Sequence, residues 1–161
     1  TCESSVPGVY AVGDVNGGPQ FTYISLDDFR IVFGALTGNG QYTLKDRKNI
    51  PYTTFLTPPL ARVGLTEEDA INKGYTVKTK EMLVATMPRA HVNDYLKGAF
   101  KIVVNADNDL ILGATLYSQG AEELINLIKM AMDNNIPYTY FKNQIFTHPT
   151  MAENLNDLCN F

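Results

Sequence analysis

Residues 99–116, "AFKIVVNADNDLILGATL", hold two apolar runs, Ala99 to Val104 and Leu110 to Leu116, around the polar insert Asn105-Ala106-Asp107-Asn108-Asp109. Each run has the length of a strand, and Asn and Asp accept the unusual backbone angles of a tight connection. The stretch therefore reads as an antiparallel hairpin.

On its C-terminal side, Gly120 to Asn134 puts Leu124, Leu127, Ile128 and Ala131 on one stripe, with Glu122 and Glu123 in the first turn. That periodicity and that placement of acid predict an amphipathic helix. Ile136-Pro137 ends it, a short helix is expected over Thr139 to Gln144, and a last one after Pro149. On the N-terminal side, Tyr75 to Val84 reads as extended chain. Before it, Thr66 and Asp69 approximate a capping box, Glu67 and Glu68 suit the positive end of a helix, and Gly74 stops it. Tyr52 to Leu56 reads as a strand, broken by Pro58-Pro59 and resumed at "ARVG", Ala61 to Gly64. Residues 50–161 are thus expected to form an α+β unit, an antiparallel sheet flanked by helices.

The first 49 residues do not fit that unit. "VPGVYAV", Val6 to Val12, reads as a buried strand running into a glycine-rich loop. Thr22 to Leu36 has helical periodicity and is stopped by Gly38 and Gly40, and the polar segment Asn39 to Asn49 reads as a linker. The chain opens Thr1-Cys2-Glu3 without an initiating Met, as expected of the tail of a longer protein. Residues 1–49 look like the last strand and helix of a different domain.

Of the 161 residues, 45% are apolar and 19% charged, ordinary values for a globular chain with a real core. A net charge of -4 and a pI near 5.1, with basic residues scattered, argue against a nucleic-acid partner. No apolar run is long enough to span a bilayer, and a cytoplasmic location is expected. Cys2 and Cys159 lack any metal or redox spacing and are assigned no role, and no metal site is expected.

The chain has two histidines. His91, in "PRAHVND", reads as a surface loop residue. His148 sits in "QIFTHPTMAE", Gln144 to Glu153, where an imidazole, a proline and a carboxylate fall close together. One reading is structural: Thr150 and Glu153 form a capping box for the final helix and His148 is a satisfied surface residue. The other is chemical. Histidine titrates near neutral pH and serves as acid and base, and a carboxylate on its far nitrogen fixes the tautomer.

Three pieces, in order, resemble the C-terminal end of the flavin-dependent pyridine nucleotide-disulfide oxidoreductases, the family of glutathione reductase and dihydrolipoamide dehydrogenase. They are Gly8 to Asp14 ("GVYAVGD"), Thr53 to Ala70 ("TTFLTPPLARVGLTEEDA") and His148 to Glu153 ("HPTMAE"). The phrases "GGPQFTYISLDDFRIV", "DRKNIPY" and "HPTMAENLNDL" are most similar to its reactive-chlorine-resistance subgroup, a branch related to mercuric reductase. The resemblance implies a dimerisation domain at 50–161, preceded by the end of an FAD-binding domain. It implies FAD contacts at Gly13, Asp14, Phe21 and Thr22, with Asp14 on the ribityl chain and Thr22 opening a helix toward the flavin's pyrimidine edge. As a plain alternative, Thr22 is the N-cap of that helix. His148 is implied as acid/base with Glu153 as its partner, serving the other subunit of a homodimer, and the His148-Pro149 bond as cis. NAD(P)H would be the co-substrate of the parent, and a small molecule or metal ion its electron acceptor. No GxGxxG motif, redox cysteine pair or nicotinamide-binding domain is present, so the chain alone is expected to be inactive and to hold little FAD. A non-catalytic dimerisation module is the alternative.

Overall fold

The hairpin at 99–116 forms the heart of a five-stranded antiparallel sheet in the computed structural model, which describes residues 1–161. Strands β1 (Tyr52–Thr54), β2 (Leu60–Gly64), β3 (Val77–Leu83), β4 (Ala99–Asn105) and β5 (Ile111–Tyr117) are ordered β1-β2-β5-β4-β3. Ile102 faces Ala114 across the hairpin, and a bulge at Val103/Val104 shifts the register before the turn. The turn itself is made by Asn105 and Asn108, whose side chains accept from the amides of Asp107 and Leu110.

One sheet face carries Ala61, Val63, Phe100, Ile102, Ala114 and Leu116, all buried. The helices that follow cover it: α4 (Ala121–Asp133), α5 (Tyr138–Asn143) and α6 (Asn154–Leu158), in chain order after α1 (Thr22–Thr37), α2 (Glu67–Asn72) and α3 (Pro88–Val92). Leu124, Ile125, Ile128 and Ala131 of α4 and Leu155 and Leu158 of α6 complete the core. The expected capping box of α2 is present, with Thr66 Oγ1 accepting from the Asp69 amide at 3.0 Å and the Asp69 carboxylate accepting from the Thr66 amide at 3.3 Å. At the outer strand β3, Lys80 Nζ donates to the carbonyls of Asp157 and Asn160, while Lys78 Nζ pairs with Asp109 and stands 4.9 Å over the Tyr138 ring.

The chain divides into two compact units, Thr1–Lys48 and Asn49–Phe161. In the first, α1 spans the expected helix and ends at Gly38, which has φ 75°. Val6 to Val12 is not a strand: Glu3 and Tyr10 make one isolated bridge, and Val6, Val9 and Val12 are exposed. A strand is defined by its pairing, and here Cys2 to Ser4 pairs with Val9 to Ala11 only around that single bridge. Asn39 to Asn49 is not a solvated linker throughout. Thr43 and Asp46 cap a single 3-10 turn at Leu44–Asp46, and Arg47 folds back onto Asp27 and Asp28 of α1. In the second unit, His91 lies on α3 rather than in a loop, its Nε2 2.8 Å from the Ala85 carbonyl. No helix is long and apolar enough to cross a membrane.

Candidate functional site

In the N-terminal unit, Gly13–Asn16 forms a single 3-10 turn. Gly13 has φ 72°, and a Cβ there would lie 2.9 Å from Ser25 Oγ, so the turn sits close against α1 and requires glycine. Asp14 is exposed on this turn and its carboxylate has no partner within the chain. Phe21 is the N-cap of α1 and stacks on Tyr23 at 5.1 Å. Thr22 is therefore the first helical residue and not the cap, and no side-chain cap bond is made. First-turn amides lack partners inside a helix, which leaves this end able to receive a polar acceptor.

Asp28 holds that turn in place, and the sequence reading missed it. Its carboxylate is fully buried, accepts from the Gly13 amide at 2.7 Å and the Asn16 side-chain amide at 2.7 Å, and pairs with the Arg47 guanidinium. Burial pushes the Asp28 carboxyl up, but the hydrogen bonds from Arg47, Gly13 and Asn16 outweigh it and leave its pKa below the ordinary value. An aspartate in the middle of an amphipathic helix looks solvent-facing. Its proximity in sequence to a glycine turn was the available signal.

In the second unit, His148 and Glu153 lie on the strap between α5 and α6, with His148-Pro149 in the cis form. His148 Nδ1 is 2.7 Å from Glu153 Oε2, and the imidazole is 68% exposed. Glu153 Oε1 accepts from the Thr150 amide at 2.9 Å, and Thr150 Oγ1 accepts from the Glu153 amide at 3.2 Å. The capping-box hydrogen bonds thus exist, but they close the turn before the helix, which starts at Asn154. The structural and chemical readings of Glu153 occupy different oxygens. His148 and the Thr150 amide hold the Glu153 carboxyl below its ordinary pKa against the opposing effect of burial, so it is ionised at neutral pH. An ionised carboxylate only accepts, so Nδ1 is the donor in this bond.

Neither cysteine is activated. Cys159 is buried, which pushes its thiol up to about 12, and burial together with Asp28 raises Cys2.

Residues 50–159 match the family described as pyridine nucleotide-disulphide oxidoreductase, dimerisation domain. The probable pyridine nucleotide-disulfide oxidoreductase RclA of Escherichia coli (strain K12) is 48% identical over 155 residues, covering 96% of this chain and 35% of that protein. A mercuric reductase from Staphylococcus aureus is 36% identical over 147 residues, covering 91% of this chain and 27% of its own length. The chain spans about a third of the length of such relatives. The solved structure of the HOCl-induced flavoprotein disulfide reductase RclA from Escherichia coli superposes with a TM-score of 0.95 at 47% identity, covering 98% of this chain and 36% of that one. LpdA from Mycobacterium tuberculosis, at 21% identity and a TM-score of 0.88, shares the fold. With its five-stranded sheet, its helical cover and this match across residues 50–159, the chain belongs to the pyridine nucleotide-disulphide oxidoreductases and carries their dimerisation domain.

Proposed function

We propose that this chain is the C-terminal part of a homodimeric, cytoplasmic FAD-dependent, NAD(P)H-oxidising reductase, and that His148 and Glu153 act as an acid/base pair in the partner subunit's active site. The observation that carries the reading is the state of the pair: Nδ1 is bonded to an ionised carboxylate while the ring as a whole is exposed. Proton transfer during thiol chemistry needs a group that titrates near neutral pH, and a fixed tautomer directs the exchange to Nε2. A ring 68% exposed is not yet an active site, because efficient transfer needs a surface that excludes water. Two large clefts of this unit, one lined by Arg62, Glu67 and Lys101 and the other by Asn49, Tyr75 and Met132, do not include it. A second subunit is the natural source of that surface.

The N-terminal unit fits the edge of a flavin site. The unpartnered carboxylate of Asp14 suits a sugar-like hydroxyl, the glycine turn permits close approach, and Phe21 and Thr22 present the start of α1. When bound, FAD would supply the two-electron step between nicotinamide and acceptor. Residues 1–49 would form one wall of that site and residues 50–161 the interface. Similarity to mercuric reductases favours a small molecule or metal ion as acceptor.

In the parent enzyme, His148→Ala should lower turnover by about 10²- to 10⁴-fold with flavin content unchanged. Mixing that variant with a subunit inactivated at its upstream redox cysteines should restore activity in the mixed dimer. Full turnover by His148→Ala would refute the acid/base role. Failure of mixed dimers to recover would refute action across the interface.

A further inference from the structure

The imidazole of His148 is exposed, and the strap that carries it, from Gln144 to Glu153, has no regular secondary structure. Something must hold such a segment if one ring nitrogen is to stay on a carboxylate. Apolar anchoring is limited to partly buried Phe146, Met151 and Ala152 against the core.

Two asparagines of α6 grip the strap from both sides of the histidine. Before it, Asn156 Nδ2 stands 2.6 Å from the Phe141 carbonyl, 2.9 Å from that of Gln144 and 3.3 Å from that of Lys142. One side-chain amide thereby ties the end of α5 to the start of the strap. After it, Asn154 Nδ2 donates to the carbonyls of Thr150 and Met151, at 3.2 and 3.1 Å, and Asn154 is 1% exposed. Thr150 Oγ1 donates to the Thr147 carbonyl at 2.8 Å and closes the bend between the two grips. Leu155 and Leu158 are fully buried, so the helix that bears both amides is fixed to the core.

We infer that Asn154 and Asn156 are positioning residues for the His148–Glu153 pair, holding its strap by hydrogen bonds from α6 to the strap carbonyls of Gln144, Thr150 and Met151 and to those of Phe141 and Lys142 at the end of α5. The inference rests on the acid/base reading for its functional meaning, but its geometry can be tested without turnover. An oriented pair needs support from groups that do not themselves react, and neutral amide donors supply it without adding charge beside the carboxylate.

The two histidines carry their own control. A carbonyl only accepts, so the neutral ring of His91 is protonated on Nε2 against Ala85, whereas His148 is protonated on Nδ1 against Glu153. Ring nitrogen-15 spectra of the 161-residue chain distinguish these tautomers. Asn156→Leu keeps side-chain size and neutrality and removes the donors, and Asn156→Ala is a smaller alternative should the leucine disturb the fold. In whichever variant keeps the His91 pattern, His148 should lose its Nδ1–H preference and Glu153 should titrate closer to an ordinary carboxyl. Unchanged His148 and Glu153 signals in a folded variant would overturn the positioning role. If the signals move as expected while His148→Ala leaves the parent's turnover intact, the positioning stands and the acid/base reading falls.

Discussion

Asp28 and Glu153 show how one carboxylate serves several partners at once. Asp28 receives the Gly13 amide and the Arg47 guanidinium, so its ionised form is favoured in the folded chain. A depressed pKa contributes stability that is fully present above the ordinary carboxylate value of about 4 and is lost as pH falls through the lower folded value. Asn at this position leaves Arg47, whose side chain is 9% exposed, without its buried partner. Asp28→Asn should therefore destabilise the N-terminal unit by about 3 kcal/mol at pH 7. The difference from the unaltered chain should shrink as pH falls from about 4 towards the lower folded value, below which protonation of Asp28 has made the same change. Denaturant titrations followed through the methyl signals of Ile24 and Ile31, both buried beside this network, check it. Equal differences at both pH values would count against an ionised Asp28.

Among the elements, β5 is closely confined at Gly113. A Cβ on Gly113 would lie 2.1 Å from the Leu65 carbonyl oxygen and 2.6 Å from its amide nitrogen, both backbone atoms that cannot turn aside. Gly113→Ala should cost about 1 to 3 kcal/mol in thermal or urea unfolding, since the chain between β2 and α2 must move away from the sheet. No loss would mean that this contact yields easily. Elements governed by neighbours in sequence were legible beforehand. The Asn-rich turn of the hairpin, the Thr66–Asp69 box and the apolar stripe of α4 all use interactions within a few residues. Elements governed by distant partners were not. Val6 to Val12 has a strand's composition but pairs only around a single bridge, and Arg47 looked solvated because its partners lie 19 and 20 residues upstream. At five residues, α3 is too short for periodicity to register. The site divides the same way. His148 and Glu153 are five residues apart and readable as a pair, whereas the carbonyls gathered by Asn156 lie up to 15 residues away.

At the scale of the whole molecule, the N-terminal unit presents Tyr23, Leu26, Phe29, Phe33 and Leu36 of α1 to solvent, a face too apolar to be at rest in water. The second unit has a complete core of its own and carries the dimerisation domain. Residues 49–161 should therefore fold alone and self-associate. Light scattering across a range of concentrations should give twice the chain mass for that segment, and a strict monomer would mean that other parts of the parent hold the subunits together. The ties at the outer strand bear on handling such a segment. β3 leaves one row of backbone amides and carbonyls unpaired, the kind of border to which a second chain can add and start an aggregate. Charged lysines discourage such addition, and here Lys80 is also fastened to the carbonyls of Asp157 and Asn160. The last few residues thus act as a selvedge for the sheet, and trimming them to tidy a terminus would fray the border they finish.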